Sequence, residues 1–467
     1  MYKIVLFLLI LISSFAPRAI LASEQNIFGL HLTQTSDIDL VSPIINSSGG
    51  DWGWINIVIR LDQLDQRNWQ EFFDKCRQKH LIPIIRIATL MENDYWKKPV
   101  PEEIDILASF LNSLNWPTEK QYLILFNEIN HGQEWGGQVD IPNYVDIFIY
   151  ASQKFKSYNS NFIILGPALD LASPDSPPDF LSAQTTYQRI YNYRPEFFDN
   201  LDALASHSYP NHGFVGTPND IGQHSIRGYQ WELNYLKSLG IDKNYPVFIT
   251  ETSWPHQEGQ EKDSRFYTSK TTSDFLLKSL EIWESDPKVT AIIPFIFNFP
   301  NPPFDHFSWL DQDQKLYPEY QKIILYPKKK NIITQITKYE ALEIHLPALI
   351  FPDRKYTGYI TLKNTGQSIW GEGETQFCLQ PQSTQNLQLN KICTKKDQVQ
   401  PGQQSDLEFT FSLIPGIKQL GNSYISWENT DEYEIIPFSQ NSNIYHPQTG
   451  FFQKISNFFK QLKFFFS

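Results

Sequence analysis

Two glutamates in this sequence each follow a strongly apolar stretch, and their chemistry is the first feature to explain. Glu128 ends the run LILFNE directly after Asn127, and Glu251 lies in FITETSW. Burying a carboxylate is costly unless a partner compensates the charge or the protein uses it. A single glutamate at a strand end is more often a helix cap or a salt-bridge partner. Two in equivalent positions predict the acid and nucleophile that cleavage of a glycosidic bond requires.

The two members of such a pair need different electrostatic surroundings. The acid must hold its proton near neutral pH, which an apolar site and a nearby carboxylate both favour. The nucleophile must stay ionised, so it needs cationic and hydrogen-bonding neighbours. Arg60, Arg86 and Tyr209 are the candidates for those neighbours.

The elements that would position these residues alternate along the first part of the chain. Between residues 25 and 325, short apolar runs alternate with amphipathic helical patterns such as QRNWQEFFDKCRQKH. Near-continuous apolar runs indicate strands covered on both faces, as in a parallel sheet. Eight strands are predicted, at 27–32, 54–60, 81–87, 122–128, 162–170, 204–210, 247–254 and 291–299. Eight strand–helix units predict an α/β fold, a (β/α)8 TIM barrel at 24–328, with a doubly wound sheet as the alternative.

A barrel would gather the candidate residues, because residues at the carboxyl ends of its strands line one mouth. The predicted strand ends supply Arg60, Arg86, Asn127, Glu128, Asp170, His207, Tyr209, Glu251, Trp254 and Asn298. Trp135 and Trp254 are candidate platforms for stacking on a sugar ring, with simple packing as the other interpretation. Consecutive strand residues point to opposite faces. Asn127 and Glu128 can therefore both face a substrate only if their strand ends in a bulge.

In barrel register, LILFNE and FITETSW resemble the clan A retaining glycoside hydrolases, the cellulase and β-mannanase-like superfamily. The resemblance covers residues 27 to 310. It implies that Glu128 is the general acid/base, that Asn127 binds the sugar 2-hydroxyl and that Glu251 is the nucleophile.

The same resemblance implies roles for three further substrate-binding residues. Arg60, at the end of the second strand, would steady the nucleophile, and His207 with Tyr209 would lie near the sixth strand. The eighth strand reads FIFNFP, where the family commonly places a tryptophan under the attacked sugar. The residues that would have to replace this tryptophan are Phe297, Phe299 or Trp309.

We therefore expect a secreted or surface-held glycoside hydrolase that cleaves β-linked glycans by a retaining mechanism. One alternative is a catalytically inactive barrel that binds glycans at a surface. A second is a metal-dependent hydrolase, which would need clustered His and Asp side chains at strand ends; His31 and His207 are too few. No Cys/His spacing resembles a metal site, and no cofactor is expected.

Composition narrows the class of partner. The formal net charge is -12, which argues against a nucleic-acid partner because phosphate backbones require basic surfaces. Aromatic residues make up 15% of the chain, a share that suits both large cores and sugar binding. The expected partner is an oligo- or polysaccharide substrate.

The second part of the chain has a different pattern. From 339 to 440, turn residues punctuate short strand-like runs, which predicts a smaller all-β, Ig-like sandwich. Cys378 and Cys393 lie in two such runs. A disulfide between them and two free buried thiols are both compatible with this pattern.

Both termini are expected to lie outside these domains. Residues 1–22 have the apolar run of a secretory signal peptide, with a retained anchor as the alternative. Residues 441–467 form a basic aromatic amphipathic tail, which can contact an anionic membrane surface or pack on its own protein. We expect the protein to work outside the cytoplasm.

Overall fold

A computed structural model describes residues 25–351, 354–372, 377–379, 381–384, 387–390, 392–394, 398–414, 425–427 and 443–444. The chain divides into two compact units between Thr334 and Gln335. The signal peptide predicted at 1–22 lies outside the described residues. So does the tail predicted at 441–467, apart from the short strand Asn443–Ile444. None of the helices in the described part of the chain has both the length and the apolar character to cross a membrane.

Over residues 25–334, which are described without a gap, strands alternate with α-helices. The strands of the main sheet are β1 (Gly29–Leu32), β2 (Gly53–Arg60), β3 (Leu81–Ala88), β4 (Gln121–Leu125), β5 (Phe162–Asp170), β6 (Ala203–His207), β7 (Val247–Thr252) and β8 (Val289–Pro294). Two further short strands, Met91–Glu92 and Tyr95–Trp96, pair with each other in the loop after β3. The helices are α1 (Ile38–Ile45), α2 (Gln66–Gln78), α3 (Pro101–Asn112), α4 (Ile141–Tyr158), α5 (Ala183–Tyr193), α6 (Gly228–Ser238), α7 (Ser269–Glu284) and α8 (Gln321–Leu325). Each of β1 to β8 is thus followed by one α-helix.

The eight strands form one parallel sheet in the order β1 to β8, and its ends meet. Phe28, just before β1, forms a parallel bridge with Ile292 of β8. The backbone N–H of Ile292 donates to the carbonyl of Ile27 at 2.7 Å. This closure confirms the (β/α)8 barrel and rules out the doubly wound sheet, whose two edges would stay unpaired.

Alternating strand residues explain the apolar runs in the sequence. Trp54, Ile124 and Phe248 belong to a buried cluster that fills the barrel. All its members come from strands except Trp52, which lies just before β2. Their strand neighbours join a larger cluster shared with the helices. Because both faces of every strand are covered, nearly every strand position is apolar.

Helix α2 illustrates how the outer layer forms. Asp65 caps its first turn by accepting a hydrogen bond from the backbone N–H of Asn68. The face predicted from the sequence is buried, as the indole of Trp69, the ring of Phe72 and the thiol of Cys76 all lie in the core. The helical spacing of these residues packs the helix against the sheet.

The described part of the second unit is all-β, as predicted. Its largest sheet contains β9 (Tyr339–His345), β10 (Lys355–Asn364), β11 (Leu387–Leu389) and β12 (Gln404–Leu413), antiparallel in the order β9-β10-β12-β11. The strand Cys378–Leu379 pairs with Ile392–Cys393, and the two cysteines form a disulfide. The further pairs are Leu349–Ile350 with Asn443–Ile444, and Pro381–Thr384 with Ile425–Trp427. The Ig-like sandwich arrangement stays a prediction.

Candidate active site

The chain turns sharply where β4 ends, three residues earlier than the sequence predicts. Phe126 has φ 71° and Glu128 has φ 35°, both in the left-handed region that non-glycine residues rarely adopt. Such residues cost about 1–3 kcal/mol each and persist where the surroundings hold them in place. Phe126 packs against Trp135, with ring centroids 5.0 Å apart. This turn takes the place of the expected bulge, so Asn127 and Glu128 both contact residues of the mouth.

His207, the last residue of β6, joins the two glutamates. Its Nδ1 lies 2.7 Å from Glu128 Oε1 and 3.9 Å from Glu251 Oε2. The strand pairing shifts register between Ser206 and His207, and this shift places His207 opposite Glu251 of β7. Burial would lower the pKa of His207, but the charges of Glu251 and Glu128 raise it above its usual value. A cationic imidazole between two carboxylates is the arrangement these contacts favour.

Glu251 has two further partners. Arg86 Nη1 donates to its Oε1 at 3.1 Å, and the Tyr209 hydroxyl donates to its Oε2 at 3.2 Å. Burial alone would raise the pKa of Glu251, but the charges of His207 and Arg86 and the hydrogen bond from Tyr209 lower it overall. Glu251 is thus held as a buried carboxylate, which is the state a nucleophile requires.

Arg86, rather than Arg60, contacts this carboxylate. Besides Glu251, Arg86 Nη1 donates to Asn127 Oδ1 at 2.6 Å. Arg60 lies two residues before Asp62, and its Nε donates to Asp62 Oδ1 at 3.0 Å in a pair that is more than a third exposed. The position that the resemblance gives to Arg60 is therefore filled from the next strand, β3.

Both predicted tryptophan platforms are buried. Trp254 is 0% exposed, and its Nε1 donates to the carbonyl of Gly216 at 2.7 Å. Trp135 is 1% exposed, and its Nε1 donates to Asn143 Oδ1 at 3.0 Å. A stacking platform must offer a ring face to the ligand. Both indoles instead pack inside the protein.

The aromatic residues after β8 differ in how far they are exposed. Phe297 and Trp309, two of the candidates to replace the missing tryptophan, are 1% and 0% exposed. Phe299 is partly exposed and packs on Phe304. Phe295, which is not among the predicted site residues, directly follows β8 and belongs to a buried cluster with Tyr209.

His31 of β1, which the sequence pattern did not assign to the catalytic or substrate-binding residues, lies close to Glu251. It is 3% exposed, and its ring lies 5.2 Å from that of Phe295. Burial lowers the pKa of His31 to about 3, against an opposing effect of Glu251. Within residues 25–334, neither ring nitrogen of His31 has a hydrogen-bond partner. A histidine inside the apolar strand GLHL was the available signal.

Two acidic residues extend the polar rim of the mouth. Asp170, the last residue of β5, lies with its Oδ2 2.9 Å from His131 Nε2, and its backbone carbonyl accepts from Asn130 Nδ2 at 2.9 Å. Glu134 is partly buried, and burial raises the pKa of its carboxyl to about 7. Glu134 was missed because a lone glutamate in a loop carries no signal in the sequence.

Glu128, His207 and Glu251 are also the candidate ligands for a metal ion. Within the described part of the chain, the donor atoms of Glu128, His207 and Glu251 all lie within 4.8 Å of one another. Two carboxylates and a neutral imidazole fit a divalent ion. However, Arg86 already places a positive charge on Glu251, and it would repel a second one. The positive charges of Arg86 and His207 therefore already balance the negative charges of the two glutamates.

No protein-family model matches this sequence, and no curated protein matches it. Among solved structures, the chain is similar to a monomeric β-xylosidase from Caulobacter crescentus CB15, at 10% identity and a TM-score of 0.48, covering 84% of this chain and 97% of that one. It is similar to a GH128 endo-β-1,3-glucanase from Sorangium cellulosum, at 15% identity and a TM-score of 0.42, covering 64% and 98%. It is also similar to a β-mannanase from Thermomonospora fusca, at 12% identity and a TM-score of 0.40, covering 65% and 89%. Likeness at this level carries no information about the reaction of this chain.

Proposed function

We propose that this protein is a retaining glycoside hydrolase that cleaves β-linked glycans, with Glu128 as general acid/base and Glu251 as nucleophile. The observation that carries the proposal is the spacing of the two glutamates, whose nearest oxygens lie within 4.8 Å of each other. Retaining enzymes hold their carboxyl groups about 5–5.5 Å apart, whereas inverting enzymes need ~6.5–9.5 Å for a water molecule. The closer spacing supports retention.

The two glutamates would act in two steps. In the first, a carboxylate oxygen of Glu251 attacks the anomeric carbon while Glu128 protonates the departing glycosidic oxygen. In the second, Glu128 takes a proton from water, the water oxygen attacks the same carbon, and the bond to Glu251 breaks. Asn127, oriented by Arg86, would hydrogen-bond the sugar 2-hydroxyl.

The electrostatics of the site support this division of roles. Arg86, His207 and Tyr209 favour the ionised form of Glu251 and so its role as nucleophile. Glu128 lacks the contact with Arg86 and is paired with His207 alone among the site residues. His207 contacts both glutamates and can accommodate the change of charge at Glu128 during the cycle.

The location of the reaction is also part of the proposal. A signal peptide at 1–22 would deliver the enzyme outside the cytoplasm, where polysaccharides occur. The basic aromatic tail at 441–467 would then hold it at a surface. The supporting observation for both is the sequence pattern of these segments.

The proposal is tested by assaying reducing-sugar release from β-glucans, mannans, galactans and xylans. Glu251→Gln and Glu128→Gln are compared with the wild type, and Glu261→Gln, an exposed carboxylate on the loop after β7, is the matched control. We expect a loss of about 10³-fold or more for Glu251→Gln, with the Glu261 variant unchanged. Thermal unfolding of each variant verifies the fold.

Other outcomes would favour the alternatives. Glycan binding without cleavage by the wild type would indicate the inactive glycan-binding barrel. Activity that chelators abolish and divalent ions restore would indicate a metal held by Glu128, His207 and Glu251. Equal activity of the wild type and Glu251→Gln would contradict the assignment of the nucleophile.

A further inference from the structure

A buried group of polar side chains lies behind the end of β6, on the side away from the mouth. Successive residues of this strand alternate between the barrel interior and the helix layer. Ala205 belongs to the cluster inside the barrel, and Leu204 belongs to the cluster shared with the helices. By the same alternation, His207 faces the mouth, while Ser206 and Ser208 face the helices. Both serines are 0% exposed, so their hydroxyls need partners inside the protein.

Glu232 of α6 supplies one of these partners. The Ser206 hydroxyl donates to Glu232 Oε2, and the Tyr187 hydroxyl of α5 donates to Glu232 Oε1 at 2.7 Å. The hydroxyls of Ser206 and Ser208 share a hydrogen bond of 2.8 Å. Glu232 itself is 0% exposed. One buried carboxyl group therefore connects the end of β6 with two helices.

Ser208 extends the network to the first turn of α6 and to β7. Its Oγ accepts from the backbone N–H of Tyr229 at 2.9 Å, and its carbonyl accepts from Thr252 Oγ1 at 2.8 Å. Helix α6 comes this close because it begins with Gly228. A Cβ at Gly228 would lie 2.4 Å from Leu171 Cδ1 and 3.3 Å from Ser208 Oγ. Ser208 is thus held at both its side chain and its backbone.

Irregular strand pairing makes these contacts important for the position of His207. The pairing of β6 with β7 shifts register between Ser206 and His207. The pairing with β5 shifts register between Pro167 and Asp170. Such shifts disrupt the ladder of backbone hydrogen bonds. The contacts of Ser206 and Ser208 hold the strand where that ladder is disrupted.

The position of this strand end affects both glutamates. His207 Nδ1 lies 2.7 Å from Glu128 Oε1 and 3.9 Å from Glu251 Oε2. The Tyr209 hydroxyl donates to Glu251 Oε2 at 3.2 Å. His207 and Tyr209 flank Ser208 in the chain, so a displacement of the serine would displace both. A misplacement of about 1 Å can cost about 10²-fold in rate.

We propose that Glu232 is a positioning residue, which holds the end of β6 through Ser206 and Ser208 and so keeps His207 and Tyr209 in contact with the two glutamates. This inference rests on the proposed function. Glu232 lies in the helix layer and acts only through its partners. Because the same hydrogen bonds also stabilise the fold, rate and stability have to be measured separately.

Two neutral replacements of Glu232 separate its hydrogen bonds from its charge. The amide of Glu232→Gln can still bridge two hydroxyls, because a hydroxyl both donates and accepts, whereas the side chain of Glu232→Leu cannot. We expect kcat of Glu232→Leu to lie about 10–100-fold below that of Glu232→Gln, with KM values within about threefold. Equal kcat values of the two variants would overturn the proposal.

Ser206→Ala tests the same path with a smaller change, and Ser152→Ala is the matched control. Ser152 is a buried serine of α4, and its Oγ donates to the carbonyl of Asn200 at 2.8 Å. Ser206→Ala should lower kcat about 3–10-fold and add little to Glu232→Leu, whereas the control should lower Tm alone. A fall in Tm without a fall in kcat for Ser206→Ala, or multiplicative losses in the double variant, would refute positioning through Ser206.

An NMR titration of His207 separates failure of this inference from failure of the proposed function, because it needs no substrate. With ¹⁵N-labelled histidine, the spectrum of His207→Gln identifies the imidazole signal of His207. Burial and Arg86 lower the pKa of His207, but Glu251 and Glu128 raise it overall. If the contacts with the glutamates are lost, the titration should lie about 0.5 pH unit or more lower in Glu232→Leu than in Glu232→Gln. Identical titrations of the two variants would contradict the inference.

Discussion

Replacing Arg86 by methionine removes a cation that keeps Glu251 ionised. Arg86 Nη1 lies 3.1 Å from Glu251 Oε1, and the two side chains are only 15% and 10% exposed, so solvent screens the pair weakly. An opposite charge at this distance lowers a carboxyl pKa by about 1–3 units. One unit corresponds to about 1.4 kcal/mol. We therefore expect the acid limb of kcat/KM to rise by about 1–3 pH units.

The direction follows from the form of Glu251 that reacts. In the folded protein its pKa is lowered, and the carboxylate is the nucleophile. Without Arg86, ionisation needs a higher pH, so the loss of activity should be largest at acid pH. A smaller, pH-independent loss should remain above the new limb, because Asn127 also loses its 2.6 Å contact with Arg86.

The assay is the pH profile of kcat/KM for the wild type, Arg86→Met and Arg86→Lys, with Arg60→Met as the matched control. Lysine keeps the charge but not the guanidinium geometry, so its limb should lie between the other two. Arg60 ends the neighbouring strand but pairs with Asp62, and its removal should leave the limb in place. A shifted limb in Arg60→Met, or a uniform loss without a shift in Arg86→Met, would refute this reasoning.

Three further variants test other contacts. Tyr209→Phe removes a hydrogen bond to the Glu251 carboxylate, and kcat/KM should fall about 10–100-fold at unchanged Tm. Trp254→Ala empties a buried site, so urea unfolding should show a loss of about 3–5 kcal/mol, and an effect confined to KM would instead indicate a sugar platform. Burial raises the pKa of Glu232, which accepts from the Ser206 hydroxyl, to about 7. Wild-type stability should therefore fall relative to Glu232→Gln as pH rises from 4.5 through 7, by up to about 3 kcal/mol, and parallel curves would contradict this.

The barrel and its two glutamates could be predicted because the signals are long and physical. Eight apolar runs separated by amphipathic helices leave few alternatives to a closed parallel sheet. Glu128 and Glu251 stand out because burying a carboxylate after such an apolar run is costly unless the charge is paired or used by the protein. The contacts of both with His207 agree with that expectation.

The local geometry could not be predicted to the same depth. Arg60 ends β2 and Arg86 lies two residues before the end of β3, and only the fold shows that Arg60 pairs with Asp62 while Arg86 contacts Glu251. The residue Asp62, two positions after Arg60, was the local clue. The left-handed turn at Phe126 has no glycine to mark it, because the surrounding packing rather than local preference holds it.

Tryptophans pose a similar problem for sequence reasoning. Trp135 and Trp254 lie beside the predicted strand ends, as a sugar platform would, yet each ring packs inward and each N–H finds a partner in the protein. An indole has the same apolar body in either setting. Whether it faces a ligand or the core depends on loop paths that the sequence does not specify.

The stereochemistry of the reaction tests the central claim most directly. Once a cleaved glycan is known, ¹H NMR of the first-formed product shows its anomeric configuration before mutarotation. If Glu251 is a nucleophile, a β-linked substrate should yield the β anomer first. The α anomer as first product would show a single inverting displacement, in which Glu251 serves as a base for water, and would contradict the account.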